Sequence, residues 1–188
     1  MNELMGLGMS EEQLFKQKGA KTQTVPDGQV DLLVRRRYKE SDVVLTPPHI
    51  AKWIVDYFEP KGFCLDPCMG EGAFYNHLPE PKDWCEIRKG KDFFVYNKQV
   101  DWIITNPPFT NVEHFMRHAF KLADNVVFIL PAHKPFASWE RMKLIKNYGG
   151  IVELILIKGQ ECNFPFRYPY GIFYFKKGYV DGIKIKAA

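Results

Sequence analysis

The sequence predicts an α/β protein with a mostly parallel, twisted sheet and helices on both of its faces. Short apolar runs alternate with segments in which apolar residues recur at helical spacing, as they do when strands and crossover helices follow one another. One apolar run passes directly into a glycine-rich turn, and another ends at a pair of prolines. A hydrophobic content of 46% in 188 residues is sufficient for the core of one domain.

The predicted elements are a helix at 46–58, strands at 63–66, 84–87 and 100–105, a helix at 112–123, a strand at 125–130, a helix at 135–147, and strands at 151–157 and 171–175. Thr46 is a candidate N-cap of the first helix, and the prolines behind it suit a first helical turn. The strands are short and apolar, and most of them stop at proline or glycine. We predict an N-terminal arm at 1–40, one domain at 41–180 and a loose tail at 181–188.

Composition restricts the class of protein. No run is apolar for long enough to span a membrane, and the first ten residues lack the pattern of a secretory signal, so we expect a cytoplasmic protein. The four cysteines form no Cys-x-x-Cys pair and are expected to be reduced, and we predict no metal site. His114 and His118, four residues apart on a predicted helix, are expected to be solvated or half-buried. A net charge of +4 permits nucleic-acid binding without requiring it.

The strand at 63–66 is followed by a glycine-rich turn that is expected to lead into a helix. This order of elements is the context that a nucleotide-binding loop requires. Gly70 and Gly72 allow the backbone to pass close to a ligand and to adopt positive φ. The segment reads Asp66-Pro67-Cys68-Met69-Gly70-Glu71-Gly72-Ala73-Phe74.

The strand at 100–105 ends in Asn106-Pro107-Pro108-Phe109. Asn106 and Pro107 each precede a proline, which favours extended backbone and leaves their carbonyls able to face a ligand. The Asn106 amide oxygen and the Pro107 carbonyl can accept the two N–H bonds of adenine's exocyclic amine. Such acceptors draw the nitrogen toward tetrahedral geometry and localise its lone pair, which is transition-state stabilisation by fixed dipoles. Phe109 can stack on a base that has left the helix.

This tetrad resembles the catalytic motif of amino-methyltransferases, above all the small phage-type DNA adenine-N6 methyltransferases that use S-adenosylmethionine. The pattern Asp-Pro-x-x-Gly-x-Gly-x-Phe at 66–74 resembles the cofactor motif of the same enzymes. Similar tetrads also occur in enzymes that act on guanine N2 of ribosomal RNA and on protein glutamine. The resemblance covers about residues 43–176 and implies a Rossmann-like methyltransferase fold with an antiparallel last strand.

The resemblance also implies roles for individual residues. Thr46 and Pro47 would hold the methionine end of S-adenosylmethionine, and Asp66 would attract its ammonium. Glu86 would bind the ribose hydroxyls, and Asp92 and Phe93 would contact the adenine ring. Glu86 and Asp92 are only six positions apart, so the usual third strand and its helix must be abbreviated or lost.

Candidate nucleic-acid contacts lie in three places. The loop at 163–170 interleaves aromatics with a cation, which suits base stacking, although a packed loop over the sheet edge is an alternative. By resemblance, Phe164 or Phe166 would line the base pocket, with Arg167 at a phosphate. Basic residues at 133–146 and the cluster Arg35-Arg36-Arg37 are further phosphate candidates, the cluster being equally consistent with a solvated arm.

The predicted function is therefore methyl transfer from S-adenosylmethionine to adenine N6 in DNA. An RNA or protein-glutamine amino-methyltransferase and a non-catalytic subunit that keeps the cofactor fold stay open as alternatives. DNA is the expected partner, with RNA second. The recognition sequence and the oligomeric state are left open.

Overall fold

The structure is a computed structural model that describes residues 44–160, 162, 164 and 168–187. The predicted arm at 1–40, with Arg35, Arg36 and Arg37, lies outside the described residues, as do Phe166 and Arg167.

Within the described residues, seven strands form one sheet in the order β2-β1-β3-β4-β6-β5-β7. Strands β1, β2, β3 and β4 pair in parallel, whereas β6 runs antiparallel to both β4 and β5. The predicted sheet, mostly parallel with its late strand reversed, is thus confirmed. The strands are β1 (Cys64–Asp66), β2 (Lys82–Trp84), β3 (Val100–Thr105), β4 (Ala123–Pro131), β5 (Gly149–Lys158), β6 (Pro169–Lys177) and β7 (Lys184–Ala187).

In the described part of the chain, three α-helices cover both faces of this sheet: α1 (Pro48–Phe58), α2 (Val112–Leu122) and α3 (Trp139–Tyr148). Successive side chains of a strand point to opposite faces, so Tyr174 and Phe175 of β6 mark the two sides. Phe175 contacts Phe120 of α2 at 5.4 Å between ring centroids, and Phe120 stacks on Tyr148 of α3 at 4.0 Å. Phe58 of α1 lies against Tyr174 at 5.4 Å. Helix α1 therefore packs opposite α2 and α3, which confirms the prediction of helices on both faces.

The region between β2 and β3 is abbreviated, which confirms the expectation from the spacing of Glu86 and Asp92. Two short 3-10 turns, Ile87–Lys89 and Phe93–Val95, replace the strand and helix that usually stand there. Glu86 pairs with Lys91 in an isolated antiparallel bridge that folds the segment back on itself. The chain thereby reaches β3 without a crossover helix.

Three local expectations differ from the structure. Residues 67–78, which contain the glycine turn and the segment after it, form successive turns and not the expected helix. Helix α1 begins at Pro48, so its N-cap is Pro47, which has no polar side chain to cap it, and the predicted N-cap Thr46 makes a tertiary contact described below. The tail predicted at 181–188 contains the exposed edge strand β7, which pairs in parallel with β5. In β7 the side chain of Lys186 bridges to the buried Glu153 at 2.7 Å, which anchors the edge strand.

The core is continuous along the sheet and rich in aromatic side chains such as Phe128, Phe173 and Phe175. The four cysteines, Cys64, Cys68, Cys85 and Cys162, form no disulfide among the described residues. Among the described residues, no helix has the length and apolarity needed to cross a bilayer. Within the same residues, no three or more His, Cys, Asp or Glu side chains gather in a way that could hold a metal ion.

Candidate active site

Asp66 and Thr105 are the last residues of the neighbouring strands β1 and β3, and a hydrogen bond joins their side chains. Strands β1 and β3 are parallel neighbours, so their last residues meet at the carboxyl edge of the sheet, where open α/β sheets bind ligands. Asp66 Oδ1 accepts a hydrogen bond from Thr105 Oγ1 at 2.8 Å and another from Cys68 N at 3.2 Å. The other oxygen, Oδ2, is buried and has no hydrogen-bond partner of normal geometry in the described part of the chain.

Burial changes the acidity of this carboxyl. Complete burial raises the pKa of Asp66 to about 7, because the charged form loses its hydration. The Thr105 hydroxyl and the backbone amides of Cys68 and Tyr75 oppose this rise, while the nearby charge of Glu86 adds to it. A buried carboxyl with one unpartnered oxygen suits a cationic ligand group such as an ammonium, which would satisfy the oxygen and favour its charged form.

The glycine turn lies directly beside Asp66. Gly70 and Gly72 both have positive φ, 53° and 90°. Both backbone polar groups of Gly70 are hydrogen-bonded. The Gly70 N–H donates to Glu86 Oε2 at 2.9 Å, and the Gly70 carbonyl accepts from Lys89 Nζ at 3.1 Å. The turn thus forms a rigid backbone cradle next to the buried carboxyl.

Glu86 is buried and already engaged. Its Oε1 accepts from the backbone N and the Nε of Arg88, at 3.1 Å and 3.3 Å, while Oε2 accepts from Gly70. The ribose contact of Glu86 stays a prediction. It would use the lone pairs of the Glu86 carboxylate oxygens that are not engaged in these three hydrogen bonds.

Asn106 follows Thr105 immediately, and its amide is fixed by the segment before α1. Its Nδ2 donates to the Val44 carbonyl at 2.9 Å and to Thr46 Oγ1 at 3.1 Å. A carbonyl can only accept, so the NH2 group must face Val44 and the orientation of the amide is determined. The Asn106 Oδ1 atom is buried and lacks a hydrogen-bond partner among the described residues. The site therefore holds an oriented acceptor with no donor.

The rest of the tetrad turns the chain into α2. The Pro108 carbonyl accepts from Asn111 N at 3.2 Å, one residue before the helix. Phe109 is buried, and its ring centroid lies 5.8 Å from that of Tyr170. The Tyr170 ring also contacts Phe164, at 4.6 Å between centroids. The structure thus brings two sequence-predicted residues, Phe109 and Phe164, to one aromatic cluster around Tyr170.

The remaining predicted cofactor residues have structural contacts of their own. Asp92 accepts from Phe94 N at 3.0 Å and caps a 3-10 turn, and Phe93 packs on Phe115 of α2 at 5.2 Å. Phe74 is buried in the core. The adenine contacts predicted for Asp92 and Phe93 stay predictions. His118 of the predicted histidine pair is half-buried, and its Nε2 lies 2.9 Å from the Tyr96 carbonyl.

Sequence reasoning missed three groups of this site: Thr105, the Val44 carbonyl and Lys89. Thr105 carries a detectable signal, since it is a hydroxyl at the end of an apolar strand, directly before the tetrad. The Val44 carbonyl and Lys89 carry none, because they approach from segments distant in the sequence, and no periodicity encodes such contacts.

Comparison with known proteins identifies the fold. Neither a protein-family model nor a curated protein sequence matches the chain. Solved structures match, among them a proposed class I S-adenosylmethionine-dependent methyltransferase from Listeria monocytogenes, with 16% identity and a TM-score of 0.57 over 85% of this chain and 71% of that one. The chain has the Rossmann-like methyltransferase fold.

Two further structures show how widely this fold is used. A type I restriction-modification methyltransferase subunit from Streptococcus thermophilus matches with 15% identity and a TM-score of 0.57, over 77% of this chain and 47% of that one. A proposed RNA methyltransferase from Pyrococcus horikoshii matches with 16% identity and a TM-score of 0.54, over 80% of this chain and 97% of that one. The aligned region thus spans about half of the restriction-modification subunit and nearly all of the RNA enzyme.

Proposed function

We propose that this chain transfers a methyl group from S-adenosylmethionine to the exocyclic N6 amine of adenine in DNA. The observation that carries the proposal is the Asn106 amide, whose Oδ1 is buried, oriented and without a donor among the described residues. Buried polar atoms are nearly always paired, so an unpaired acceptor beside a candidate ligand seat indicates a group that the ligand supplies. The amine of adenine supplies such a donor.

The reaction needs orientation more than a reactive side chain. S-adenosylmethionine supplies an electrophilic methyl group on a sulfonium. Asn106 Oδ1 and the Pro107 carbonyl accept the two amine N–H bonds and direct the nitrogen lone pair at the methyl carbon. As the new C–N bond forms the C–S bond breaks, and the surplus amine proton leaves to water. Much of the acceleration comes from alignment of two bound reactants, with fixed dipoles stabilising the developing positive charge on nitrogen.

The residues of the glycine turn fit the methyl donor. Asp66 offers Oδ2, which has no hydrogen-bond partner of normal geometry among the described residues, to the donor's ammonium, and Gly70 and Gly72 let the backbone approach closely. Glu86, two residues after β2, is proposed to bind the ribose hydroxyls, and Asp92 and Phe93 to contact the adenine ring. The resemblance of the fold to S-adenosylmethionine-dependent methyltransferases supports this cofactor.

DNA is the proposed partner, with the target base flipped out of the helix and stacked near Phe109. The cluster of Phe109, Tyr170 and Phe164 brings buried aromatic side chains together at that place. Phe166, Arg167 and the cluster at 35–37 are kept as proposed contacts. Among the fold neighbours, the restriction-modification methyltransferase subunit supports DNA, whereas the RNA methyltransferase makes RNA the second candidate substrate.

The proposal is tested with S-adenosylmethionine carrying a labelled methyl group, offered with DNA, ribosomal RNA or protein. We expect label in N6-methyladenine of DNA. Asn106→Ala is expected to abolish transfer while the affinity for S-adenosylhomocysteine, measured by calorimetry, is retained. The exposed Asn97, which lies outside the site, gives the matched control Asn97→Ala with full activity.

The outcomes separate the alternatives. Label in RNA or in glutamine would replace the DNA proposal, while the role of Asn106 would stand. Donor binding without transfer to any of the three would indicate a non-catalytic subunit. Substantial transfer by Asn106→Ala would remove Asn106 from the chemistry.

A further inference from the structure

An exposed aromatic surface stands outside the site described above. Three large apolar side chains within seven residues are exposed: Phe136 by 44%, Trp139 by 74% and Met142 by 40%. Phe136 ends a 3-10 turn (Lys134–Phe136), and Trp139 is the first residue of α3, whose N-cap Ser138 accepts a hydrogen bond from Arg141 N. Tryptophan is usually well buried, and contiguous exposed apolar side chains mark interaction sites. We call these three residues with Lys134, Lys143 and Lys146 the Trp139 surface.

The segment that carries the Trp139 surface is held in place by contacts with α2 and β6. The Arg141 guanidinium donates to the Lys134 carbonyl and lies 3.9 Å from Glu113 of α2. The Phe136 ring contacts Phe173 of β6 at 6.1 Å between centroids. The turn is therefore tied to α2 and to the sheet, so that exposure of Trp139 is not a consequence of a loose segment.

Charge favours a polyanionic occupant. Residues 133–146 contain four basic residues and one acidic residue, Glu140, a formal net charge of +3, whereas the whole chain carries +4. A nucleic-acid backbone matches this excess, and base stacking matches the exposed aromatics. The basic residues are Lys134, Arg141, Lys143 and Lys146.

The Trp139 surface adjoins the candidate active site through a series of ring contacts. Phe109 of the tetrad contacts Tyr170, Tyr170 stacks on Tyr168 at 5.4 Å, and Tyr168 contacts His133 at 5.7 Å. His133 directly precedes the 3-10 turn, and β4 ends at Pro131, at the same carboxyl edge of the sheet as Asn106. A strand whose target base lies at the tetrad can therefore continue onto this surface.

We propose that the Trp139 surface binds the DNA strand flanking the target base, with Trp139 stacking on an unpaired base and the lysines contacting phosphates. This rests on the proposed function for the choice of DNA and for the place of the target base at the tetrad. The test is fluorescence anisotropy of labelled DNA containing an unpaired adenine, which reads binding and not methyl transfer. Trp139→Ala is expected to raise Kd about tenfold, since one base stacked on an aromatic ring contributes binding of that order.

Two controls make the result specific. Trp53→Ala removes an exposed tryptophan of α1 (39% exposed) and is expected to leave Kd unchanged. The double variant Lys134→Gln/Lys146→Gln is expected to reduce the dependence of log Kd on log salt by one to two, about one for each lost phosphate contact. Equal DNA binding by Trp139→Ala and the wild type would overturn the proposal. So would loss of self-association in Trp139→Ala, measured by sedimentation, with unchanged DNA binding, because the occupant would then be a second copy of the chain.

A second inference comes from the contacts of Asn106. Of the two groups that fix its amide, only Thr46 Oγ1 belongs to a side chain and can be removed by substitution. Thr46 is itself buried, and the carbonyl of the next residue, Pro47, accepts from Ile50 N and Ala51 N in the first turn of α1. The position of the Thr46 hydroxyl is thus determined by the start of α1.

The geometry points to Thr46 as a positioning residue for the Asn106 amide, in place of the direct cofactor contact that the sequence resemblance implies. Its hydroxyl oxygen accepts one Asn106 N–H, which helps to keep Oδ1 turned toward the substrate amine. This inference rests on the proposed function for the role of Asn106. The contact itself is independent of any reaction.

The test compares Thr46→Val with Thr46→Ser, which keeps the hydroxyl. Thr46→Val is expected to lower kcat at least tenfold with the affinity for S-adenosylhomocysteine within twofold of the wild type, and Thr46→Ser is expected to restore kcat. A crystal structure of Thr46→Val should show a less ordered Asn106 side chain, with its NH2 group still facing the Val44 carbonyl. An ordered Asn106 together with weakened binding of S-adenosylhomocysteine would overturn the inference and return Thr46 to the cofactor. The crystal structure decides the point even if the substrate proves not to be adenine.

Discussion

Asp66 gives the proposed cofactor seat a dependence on pH that can be calculated from the structure. Burial raises the pKa of this carboxyl to about 7, and only its charged form attracts the donor's ammonium. With a pKa near 7, about one-tenth of the free protein is ionised at pH 6 and about three-quarters at pH 7.5. Affinity for S-adenosylhomocysteine is therefore expected to increase about eightfold over this interval.

The direction of the effect follows from linkage. A bound ammonium favours the carboxylate, so binding lowers the pKa of Asp66 and releases a proton below pH 7. Folding stability depends on pH in the opposite direction to ligand affinity. The raised pKa of Asp66 contributes most to the stability of the fold below the unfolded value of 3.8, and this contribution is lost as the pH rises toward 7. The groups that act on Asp66 are the Thr105 hydroxyl, the Cys68 and Tyr75 amides, and the charge of Glu86.

Calorimetry with S-adenosylhomocysteine tests this prediction. Titrations at pH 6 and pH 7.5, each in two buffers of different ionisation enthalpy, measure both affinity and proton release. Asp66→Asn is expected to bind weakly with no dependence on pH in this interval. A wild-type affinity that is equal at the two pH values, or an Asp66→Asn variant that binds as the wild type does, would refute the placement of the ammonium at Asp66.

Three further predictions concern single contacts. Thr105→Val removes the hydroxyl donor to the Asp66 carboxylate and is expected to move the midpoint of the pH-dependent affinity upward by about one unit; an unchanged midpoint would contradict this. A Cβ at Gly149 would lie 2.3 Å from the Lys176 carbonyl, so Gly149→Ala is expected to lower the free energy of unfolding in urea by about 2 kcal/mol or more, whereas Gly182→Ala, with nothing within 4 Å, should be nearly neutral. Glu153 accepts from Tyr57 Oη at 3.0 Å and bridges to Lys186, so Glu153→Gln is expected to speed amide exchange in β7, and unchanged exchange would show that the edge strand is held by its backbone alone.

The fold could be predicted from the sequence because local patterns determine it. The alternation of apolar runs and helical periodicity gives the parallel strands and their helices, and the short interval between Glu86 and Asp92 correctly predicts the missing third strand. The helix expected after the glycine turn is absent, since the segment at 67–78 closes as successive turns. The edge strand β7 was not predictable from its Lys-rich sequence, because pairing with β5 is a tertiary interaction.

Only the residues of the candidate site that belong to sequence motifs could be predicted. Asp66, Gly70 and Asn106 could be singled out because each stands at the end of a predicted strand or in a glycine turn. The contact between Thr46 and Asn106 spans 60 positions, and it exists only because the segment before α1 crosses the end of β3. Trp139 carries no signal in the sequence, since an aromatic at a helix start is ordinarily buried.

The most direct test of the central claim is a crystal structure with S-adenosylhomocysteine bound. We predict that the ammonium of S-adenosylhomocysteine contacts Asp66 and that the bound molecule crosses the glycine turn. Its sulfur is expected to lie at the carboxyl edge of the sheet, beside a still unpartnered Asn106 Oδ1. Binding at another place, with Asn106 remote from the sulfur, would contradict the account.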